Sequence, residues 1–221
     1  MSNSFAFFLF IGEIILVYFL SHLVLQKAYD VLRRIGNKRL VVGILSILYE
    51  PGTIVHELSH YFVALLLNMH PQEVSIFPSI EGDKIRLGYV LYQKNKGDFI
   101  RPILVGIAPF FGAMIVLLLI VYSNQFPGTH LWQTLTFGYC ILAITANMFS
   151  SKRDLIDVGY LIPLTFFIIF LFFIFPVHLP PQLINVLSTY LFYFIRIIQL
   201  PLLFSIVFHA ILVILLSSLQ S

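Results

Sequence analysis

Long apolar segments separated by short polar ones make up most of the chain. The first, Phe5 to Leu25, has the roughly 20 residues that a membrane-spanning helix needs. The last, Leu183 to Leu219, has a break at Leu200-Pro201 and fits either one kinked helix or a helical hairpin. Three further segments of this kind lie between them, at residues 103–122, 131–149 and 155–177. The pattern predicts an all-α polytopic membrane protein with about five or six transmembrane helices.

The apolar segment from Leu40 to Met69 is too long for one straight crossing and too short for two. Because Pro51-Gly52 divides it, we expect a short or re-entrant piece, a break at this dipeptide, and a helix from Thr53 to Asn68. Pro51-Gly52 would either permit local opening or simply start the helix. Residues 26–39, just before this segment, carry five basic side chains among apolar ones. That composition is typical of a linker at a cytoplasmic membrane surface.

Residues 70–101 are polar and contain alternating apolar and polar positions. The stretches Val74–Phe77 and Ile85–Tyr92 alternate in this way, which predicts short β-strands in a membrane-adjacent loop. Such strands would either bind an unwound substrate as an added strand or form a hairpin that only caps a site. The sequence favours neither interpretation.

The charges of the connecting segments predict the orientation of the chain in the membrane. The 70–101 loop has five basic residues and the turn at Lys152-Arg153 has two, and two predicted crossings separate them. They therefore share a face, which their positive charge assigns to the cytoplasm. The basic linker reaches the same face only if residues 40–50 dip into the bilayer and out again, which would place the N-terminus outside. We divide the chain into an N-terminal helix and linker (1–39), a membrane core (40–177) and a C-terminal part (178–221).

Composition narrows the class of protein further. The 221 residues are 59% hydrophobic and 10% charged, against roughly 45–50% and 25% in soluble domains. This excludes soluble enzymes, disulfide-rich secreted modules and disordered chains. The single cysteine, Cys140, excludes an internal disulfide framework and multi-cysteine zinc sites. Because the basic residues are spread between apolar segments, we expect them to contact anionic lipid and expect no nucleic-acid partner. Without an organelle-targeting signal, we expect a prokaryotic plasma membrane.

One apolar helix carries a cluster of ionisable residues, His56-Glu57-Leu58-Ser59-His60. Two imidazoles four positions apart lie on one helical face, so both can reach one metal ion, and Glu57 can reach a metal-bound water. Three ionisable groups within five positions of a membrane helix are costly if they serve packing alone. The spacing therefore predicts a metal site. Zinc is preferred because two histidines, a carboxylate and a water are its usual hydrolytic coordination.

A third protein ligand must come from another segment at the same depth. The acids at positions 73, 81, 83 and 98 lie in the polar loop, which leaves Asp154 and Asp157 at the head of a membrane helix. We favour Asp154, although Ser151 three residues before it gives the spacing of a capping box, and this acid would also stabilise a helix N-terminus. Asp157 stays an open alternative.

These motifs together resemble the site-2 protease family of intramembrane zinc metallopeptidases, over roughly residues 50 to 175. The His56–His60 motif precedes the β-like loop, Gly106–Gly112 lies on the next helix, and Asn147 and Asp154 precede a later one. The resemblance implies three core transmembrane helices and hydrolysis of a transmembrane protein or peptide substrate.

The resemblance also implies roles for individual residues. His56, His60 and Asp154 would bind one Zn²⁺ per chain, Glu57 would be the general base, and Asn147 would hold substrate backbone. The family's Asp-Gly pair is not present at Asp154, which Leu155 follows. The sequence Asp157-Val158-Gly159 approximates that pair, so Asp157 is retained as the alternative ligand.

Two functions of other classes remain open. The chain could be a catalytically silent scaffold that binds transmembrane partners, although intact His56, Glu57 and His60 argue against this. It could also be a metal-handling transporter, with Glu13 and Arg196 lining a path together with the histidines.

Overall fold

The structure, a computed structural model, describes residues 3–77, 79–81, 84–86, 88–94, 97–98, 100–148, 159, 161–174 and 180–220. The helices in this part of the chain are α1 (Asn3–Leu32), α2 (Lys38–Leu66), α3 (Ile100–Tyr122), α4 (Leu131–Asn147), α5 (Leu161–Ile174) and α6 (Pro181–Ser218). The strands are β1 (Pro71–Ser75), β2 (Ser79–Glu81), β3 (Lys84–Arg86) and β4 (Tyr89–Tyr92). A 3₁₀ turn, Arg33–Ile35, joins α1 to α2.

Four helices among the described residues are long and apolar enough to cross a membrane: α1, α2, α3 and α6. This agrees with the predicted all-α class and is compatible with an integral membrane protein. The described length of α4 is 17 residues and that of α5 is 14, below the roughly 20 that a straight crossing requires. The structure therefore supports four crossings, and the predicted five or six stay a prediction.

The predicted break at Pro51-Gly52 is wrong, because α2 continues unbroken from Lys38 to Leu66. Pro51 has no amide hydrogen, so the Ile47 carbonyl loses its donor within the helix. The Tyr139 hydroxyl, on α4, donates to the Ile47 oxygen at 3.0 Å and replaces that donor. A membrane helix tolerates an internal proline where a neighbouring helix pairs the released carbonyl.

The continuous α2 also removes the predicted dip of residues 40–50, which form its first part. The basic linker and the polar loop consequently lie at opposite ends of a helix roughly 43 Å long. A single straight crossing by α2 would therefore place them on different faces of the membrane.

The C-terminal part is one helix, α6, which continues through Pro201, so the alternative of a helical hairpin is wrong. It runs parallel to α1, since Gln199 Nε2 donates to the Ala6 carbonyl and Gln220 Nε2 donates to the Lys27 carbonyl. Arg34 donates to the Leu219 carbonyl at 2.8 Å and so caps the end of α6. Much of the predicted basic linker is helical, as α1 reaches Leu32.

Strands are present within residues 70–101, but their bounds differ from the predicted ones: β1 ends at Ser75, before the end of the stretch predicted at 74–77, and the stretch predicted at 85–92 is divided between β3 and β4. β1 pairs antiparallel with β4, with Val74 opposite Val90 and Ser75 opposite Tyr89. β2 pairs antiparallel with β3 further out along the same hairpin. Arg101 binds Asp98 and donates to the Leu67 carbonyl, which ties the end of α2 to the start of α3. The hairpin is thus held next to the C-terminal half of α2.

The main hydrophobic core lies where α1, α3, α4 and α6 meet. Its fully buried members include Leu117, Ile141, Ile195, Ile198 and Leu202. A second small core of Ala64, Met69 and Val105 joins the end of α2 to α3. Between these two cores α2 lies directly against α3 and α4.

Candidate metal centre

The two histidines of α2 lie together on one helical face. The Nε2 atoms of His56 and His60 are 3.1 Å apart, and the ring planes are 85° from parallel. His56 is 3% exposed and Glu57 is 7% exposed, so both are enclosed by the surrounding helices. The spacing read from the sequence has therefore placed the two rings where a single ion could contact both.

The other nitrogen of His56 is oriented by α4. His56 Nδ1 lies 2.7 Å from the backbone oxygen of Asn147. A carbonyl oxygen only accepts hydrogen bonds, so Nδ1 carries the proton. Asn147 is the last residue of α4, where backbone carbonyls have no donor from their own helix. The end of α4 thus supplies the acceptor that fixes the His56 tautomer.

His60 is oriented in the same way by α3. Its Nδ1 lies 2.7 Å from the backbone oxygen of Val105. The helical donor for this oxygen would be the amide of residue 109, which is Pro109 and has no hydrogen. The proline inside α3 thus leaves an acceptor facing α2, and His60 donates to it.

These contacts make both Nε2 atoms lone-pair nitrogens when the rings are neutral. Two lone pairs 3.1 Å apart repel each other unless a proton or a cation lies between them. Two nitrogens bound to one tetrahedral zinc ion at about 2.0–2.1 Å would lie about 3.3 Å apart. Metal-bound histidines usually donate their second ring N–H to a carbonyl or a carboxylate. The residues present therefore fit a zinc ion.

Glu57 lies under the β-hairpin. A Cβ atom placed on Gly88 would be 2.8 Å from Glu57 Oε1 and 2.9 Å from the Ser75 carbonyl oxygen. These distances are closer than real Cβ contacts, so only glycine fits at this position. The end of the β1–β4 ladder consequently packs directly over the Glu57 side chain.

Small residues bring the neighbouring helices close to α2 on both sides of the histidines. A Cβ on Gly52 would collide with the Ala143 carbonyl of α4 and would lie 2.5 Å from Asn147 Nδ2. A Cβ on Gly112 would collide with the Ser59 hydroxyl. These close approaches are what allow backbone carbonyls of α3 and α4 to reach side chains of α2.

Asn147 has two roles in this arrangement. Its side-chain amide donates to the Ala143 carbonyl at 2.9 Å and to the Tyr49 carbonyl at 3.4 Å, which fastens α4 to α2. Its own backbone oxygen accepts from His56. The substrate-binding role predicted for Asn147 stays a prediction, while the structure places it as the residue that orients His56.

Both candidates for the third ligand, Asp154 and Asp157, lie outside the described residues. Among the residues that the structure does describe, no group of three or more His, Cys, Asp and Glu side chains comes together. The third ligand therefore stays a prediction.

Sequence reasoning did not identify Gly88, Val105 and Pro109, which surround the site, or Tyr139, which pairs the Ile47 carbonyl of α2. A proline inside a spanning helix does indicate that the carbonyl four residues earlier lacks its usual donor. This signal points to Val105 and to Ile47. It does not indicate which side chain of another helix will reach each oxygen.

No family model, curated protein or solved structure matches the chain.

Proposed function

We propose that the protein is a zinc-dependent intramembrane endopeptidase that hydrolyses peptide bonds of membrane-embedded substrates. The observation that supports this is the His56–His60 pair, with its Nε2 atoms 3.1 Å apart and each Nδ1 bound to a backbone carbonyl. Each ring thus presents its Nε2 atom to the same point, as two histidine ligands of one ion do. Glu57, which lies between the two histidines in the sequence, adds the carboxylate that can act as the general base of peptide hydrolysis.

His56 and His60 would hold one zinc ion per chain, with Asp154 as the third ligand and Asp157 as the alternative. When bound, the ion would polarise the scissile carbonyl and lower the pKa of a bound water to about 7. The Glu57 carboxylate accepts a proton from the attacking water and returns it to the leaving amine. Glu57 is buried under the hairpin, so the proton is held by a carboxylate that is largely shielded from bulk water.

The substrate must expose a carbonyl to be cut, and a transmembrane helix hides its carbonyls in internal hydrogen bonds. The hairpin of residues 71–92 lies over Glu57 and presents extended backbone beside it. We propose that it receives an unwound substrate segment as an added strand, which selects for main-chain conformation more than for side chains. Asn147 would contact the substrate backbone after its amide leaves the Tyr49 carbonyl of α2 and the Ala143 carbonyl of α4.

The remaining architecture is also a proposal. One or both of α4 and α5 would cross the bilayer as well, giving five or six crossings in a prokaryotic plasma membrane. The hairpin and Lys152-Arg153 would lie at the cytoplasmic face because of their basic residues. The metal centre, next to the hairpin, would then open toward the cytoplasm.

The proposal is tested by measuring the zinc content and the peptide-cleavage activity of wild type and of the same set of variants. Detergent-purified wild type should contain about one zinc per chain. His56→Ala and His60→Ala should contain none, and only one of Asp154→Ala and Asp157→Ala should lose it. Glu57→Gln should keep the zinc and lose cleavage of a transmembrane peptide. A wild type without zinc after metal-replete purification would overturn the proposal and favour the silent scaffold.

A metal-handling transporter is the second candidate, because Glu13 is buried in α1 without a hydrogen-bond partner among the described residues. Buried ionisable groups in membrane helices are often part of ion pathways. Arg196, which would line the same path, is instead exposed on α6. Zinc flux into proteoliposomes that Glu13→Gln abolishes would favour transport, and tightly held zinc without flux would oppose it.

A further inference from the structure

Two of the described helices carry an internal proline whose released carbonyl accepts a hydrogen bond from a side chain of another helix. In α2, Pro51 releases the Ile47 oxygen, which accepts from the Tyr139 hydroxyl at 3.0 Å. In α3, Pro109 releases the Val105 oxygen, which accepts from His60 Nδ1 at 2.7 Å. The two sites share one chemical cause, but only the second involves a candidate metal ligand.

The Val105 carbonyl needs a partner from outside its own helix. Val105 is 0% exposed, so water does not reach it. An unpaired buried carbonyl is costly, and nearly all such groups in folded proteins are paired. The donor that α3 would have supplied is missing at Pro109. His60, across the tight contact between Gly112 and Ser59, supplies it.

We infer that Pro109 is a positioning residue of the metal centre. By withholding an amide hydrogen from the Val105 oxygen, it leaves that oxygen to hold His60 Nδ1–H. This contact fixes the tautomer in which Nε2 is the ligand atom and turns that atom toward His56. The inference rests on the proposed function, and it names the residue that orients the second ligand of the site.

The need for a proline follows from where each acceptor lies along its helix. Asn147, which orients His56, is the last residue of α4, and carbonyls at helix ends lack a helical donor already. Val105 lies inside α3, five residues after its start at Ile100, where every carbonyl would otherwise accept from the helix. A residue without an amide hydrogen at position 109 leaves this oxygen with no helical donor to compete with His60.

The deciding variant is Pro109→Ala, which restores the amide at position 109 and lets it compete with His60 for the Val105 oxygen. Alanine favours the helix more than proline does, so the helix itself is retained. The matched control is Pro51→Ala, which makes the same chemical change in α2 and releases Tyr139 instead of a histidine. If the alanine variant does not fold, Pro109→Val restores the same amide with a side chain closer to proline in volume.

Two measurements are made on each protein. Zinc affinity is measured by competition with a chelator, and the histidine tautomers of zinc-free protein are read from side-chain ¹⁵N chemical shifts. Loss of a partner that orients a metal ligand typically weakens metal binding about 10–100-fold. We expect that loss in Pro109→Ala and none in Pro51→Ala. We also expect His60 to be protonated at Nδ1 in wild type and Pro51→Ala, and to be a mixture of tautomers in Pro109→Ala.

A further variant separates the released carbonyl from the bend that a proline introduces. Ala108→Pro combined with Pro109→Ala keeps one proline in α3 but releases the Leu104 oxygen in place of Val105. We expect the zinc affinity of this variant to fall as in Pro109→Ala. Wild-type affinity here would assign the effect to the bend and overturn the inference.

Equal zinc affinity and equal His60 tautomers in Pro109→Ala and wild type would also overturn it. A wild-type protein that binds no zinc would contradict the proposed function. If the His60 tautomer still changed in Pro109→Ala and not in Pro51→Ala, the contact that orients His60 would nevertheless be demonstrated. The two failures are thereby distinguished.

Discussion

Two sites with ionisable side chains in the apolar helices differ in their hydrogen bonding. In the His56–His60 pair on α2, each Nδ1 binds a backbone carbonyl at 2.7 Å. Glu13 on α1 is 2% exposed, and neither of its carboxyl oxygens has a hydrogen-bond partner within the described part of the chain. The same apolar surroundings thus hold one polar site oriented by backbone carbonyls and one carboxyl group without a hydrogen bond to any described residue.

The difference comes from the backbone around each site. α2 faces the end of α4 and the proline of α3, where carbonyl oxygens lack helical donors. Glu13 lies between Phe10 and Val17 on the buried face of α1, which has no internal proline. Inside a regular helix the backbone N–H groups are already used, so a carboxylate packed among such helices depends on donors from other side chains. Thr145, Ser205 and His209, elsewhere in the bundle, hydrogen-bond one another and also the helix carbonyls of Ile141 and Ser205.

The largest effect is expected at the contact between α2 and α4. Gly52→Ala should destabilise the protein by about 3 kcal/mol, because the added methyl group meets the Ala143 backbone and not a side chain that can move. Zinc should be lost as well, since the Asn147 carbonyl moves away from His56. Thermal unfolding in detergent and elemental analysis measure both effects.

Gly43→Ala is the control in the same helix, because a Cβ on Gly43 has no atom within 4 Å. This variant should gain up to about 1 kcal/mol from helix propensity. Equal stability of the two variants would mean that α4 does not approach α2 as closely as the structure shows.

The next effect concerns Glu57 and the hairpin. Gly88→Ala should lower kcat/KM about 100-fold, since displacement of a reacting group by about 1 Å has effects of that size. Zinc content should stay at the wild-type level because Glu57 is not a ligand. Gln72→Ala, an exposed change on β1, is the control. Zinc loss in Gly88→Ala would show that the hairpin holds the histidines and not Glu57.

Substitution of Glu13 should raise the stability of the protein, whereas the substitution at Gly52 should lower it. Glu13→Leu should raise stability by about 1–3 kcal/mol, because it removes a buried polar group that has no hydrogen-bond partner among the residues the structure describes. Ser21→Ala, on the same face of α1, should not raise it, since the Ser21 hydroxyl is bound to the Tyr18 carbonyl. Thermal unfolding compares the two variants. A less stable Glu13→Leu protein would reveal a bound ion or another partner at this carboxyl group.

The smallest effect is expected at the Ile47 carbonyl of α2, which has no helical donor because residue 51 is a proline. Tyr139→Phe removes the hydroxyl that binds the Ile47 oxygen and should cost about 1 kcal/mol. Zinc affinity should not change, because no metal ligand takes part. Tyr190→Phe, an exposed tyrosine of α6, should have no effect on unfolding. A marked fall in zinc affinity in Tyr139→Phe would show that the Pro51 region also orients the metal site.

The sequence alone determined the features that depend on local periodicity. Apolar segments of bilayer length predicted helices, alternation predicted the strands within 70–101, and the four-residue spacing of His56 and His60 placed both rings on one face. Each of these follows from a repeat of the backbone that neighbouring residues share. For that reason they could be inferred without knowledge of the rest of the chain.

The tertiary structure decided what happens to groups that a single helix leaves unpaired. Pro51 was expected to break α2, but Tyr139, 88 positions later, pairs the carbonyl that the proline releases, and the helix continues. The sequence shows that the Val105 carbonyl has no donor within α3, because residue 109 is a proline. Only the contact between α2 and α3 brings His60 within hydrogen-bond distance of this oxygen. A hydrogen bond needs its two atoms within about 3 Å, and helix packing, not local periodicity, sets that distance for residues far apart in the chain.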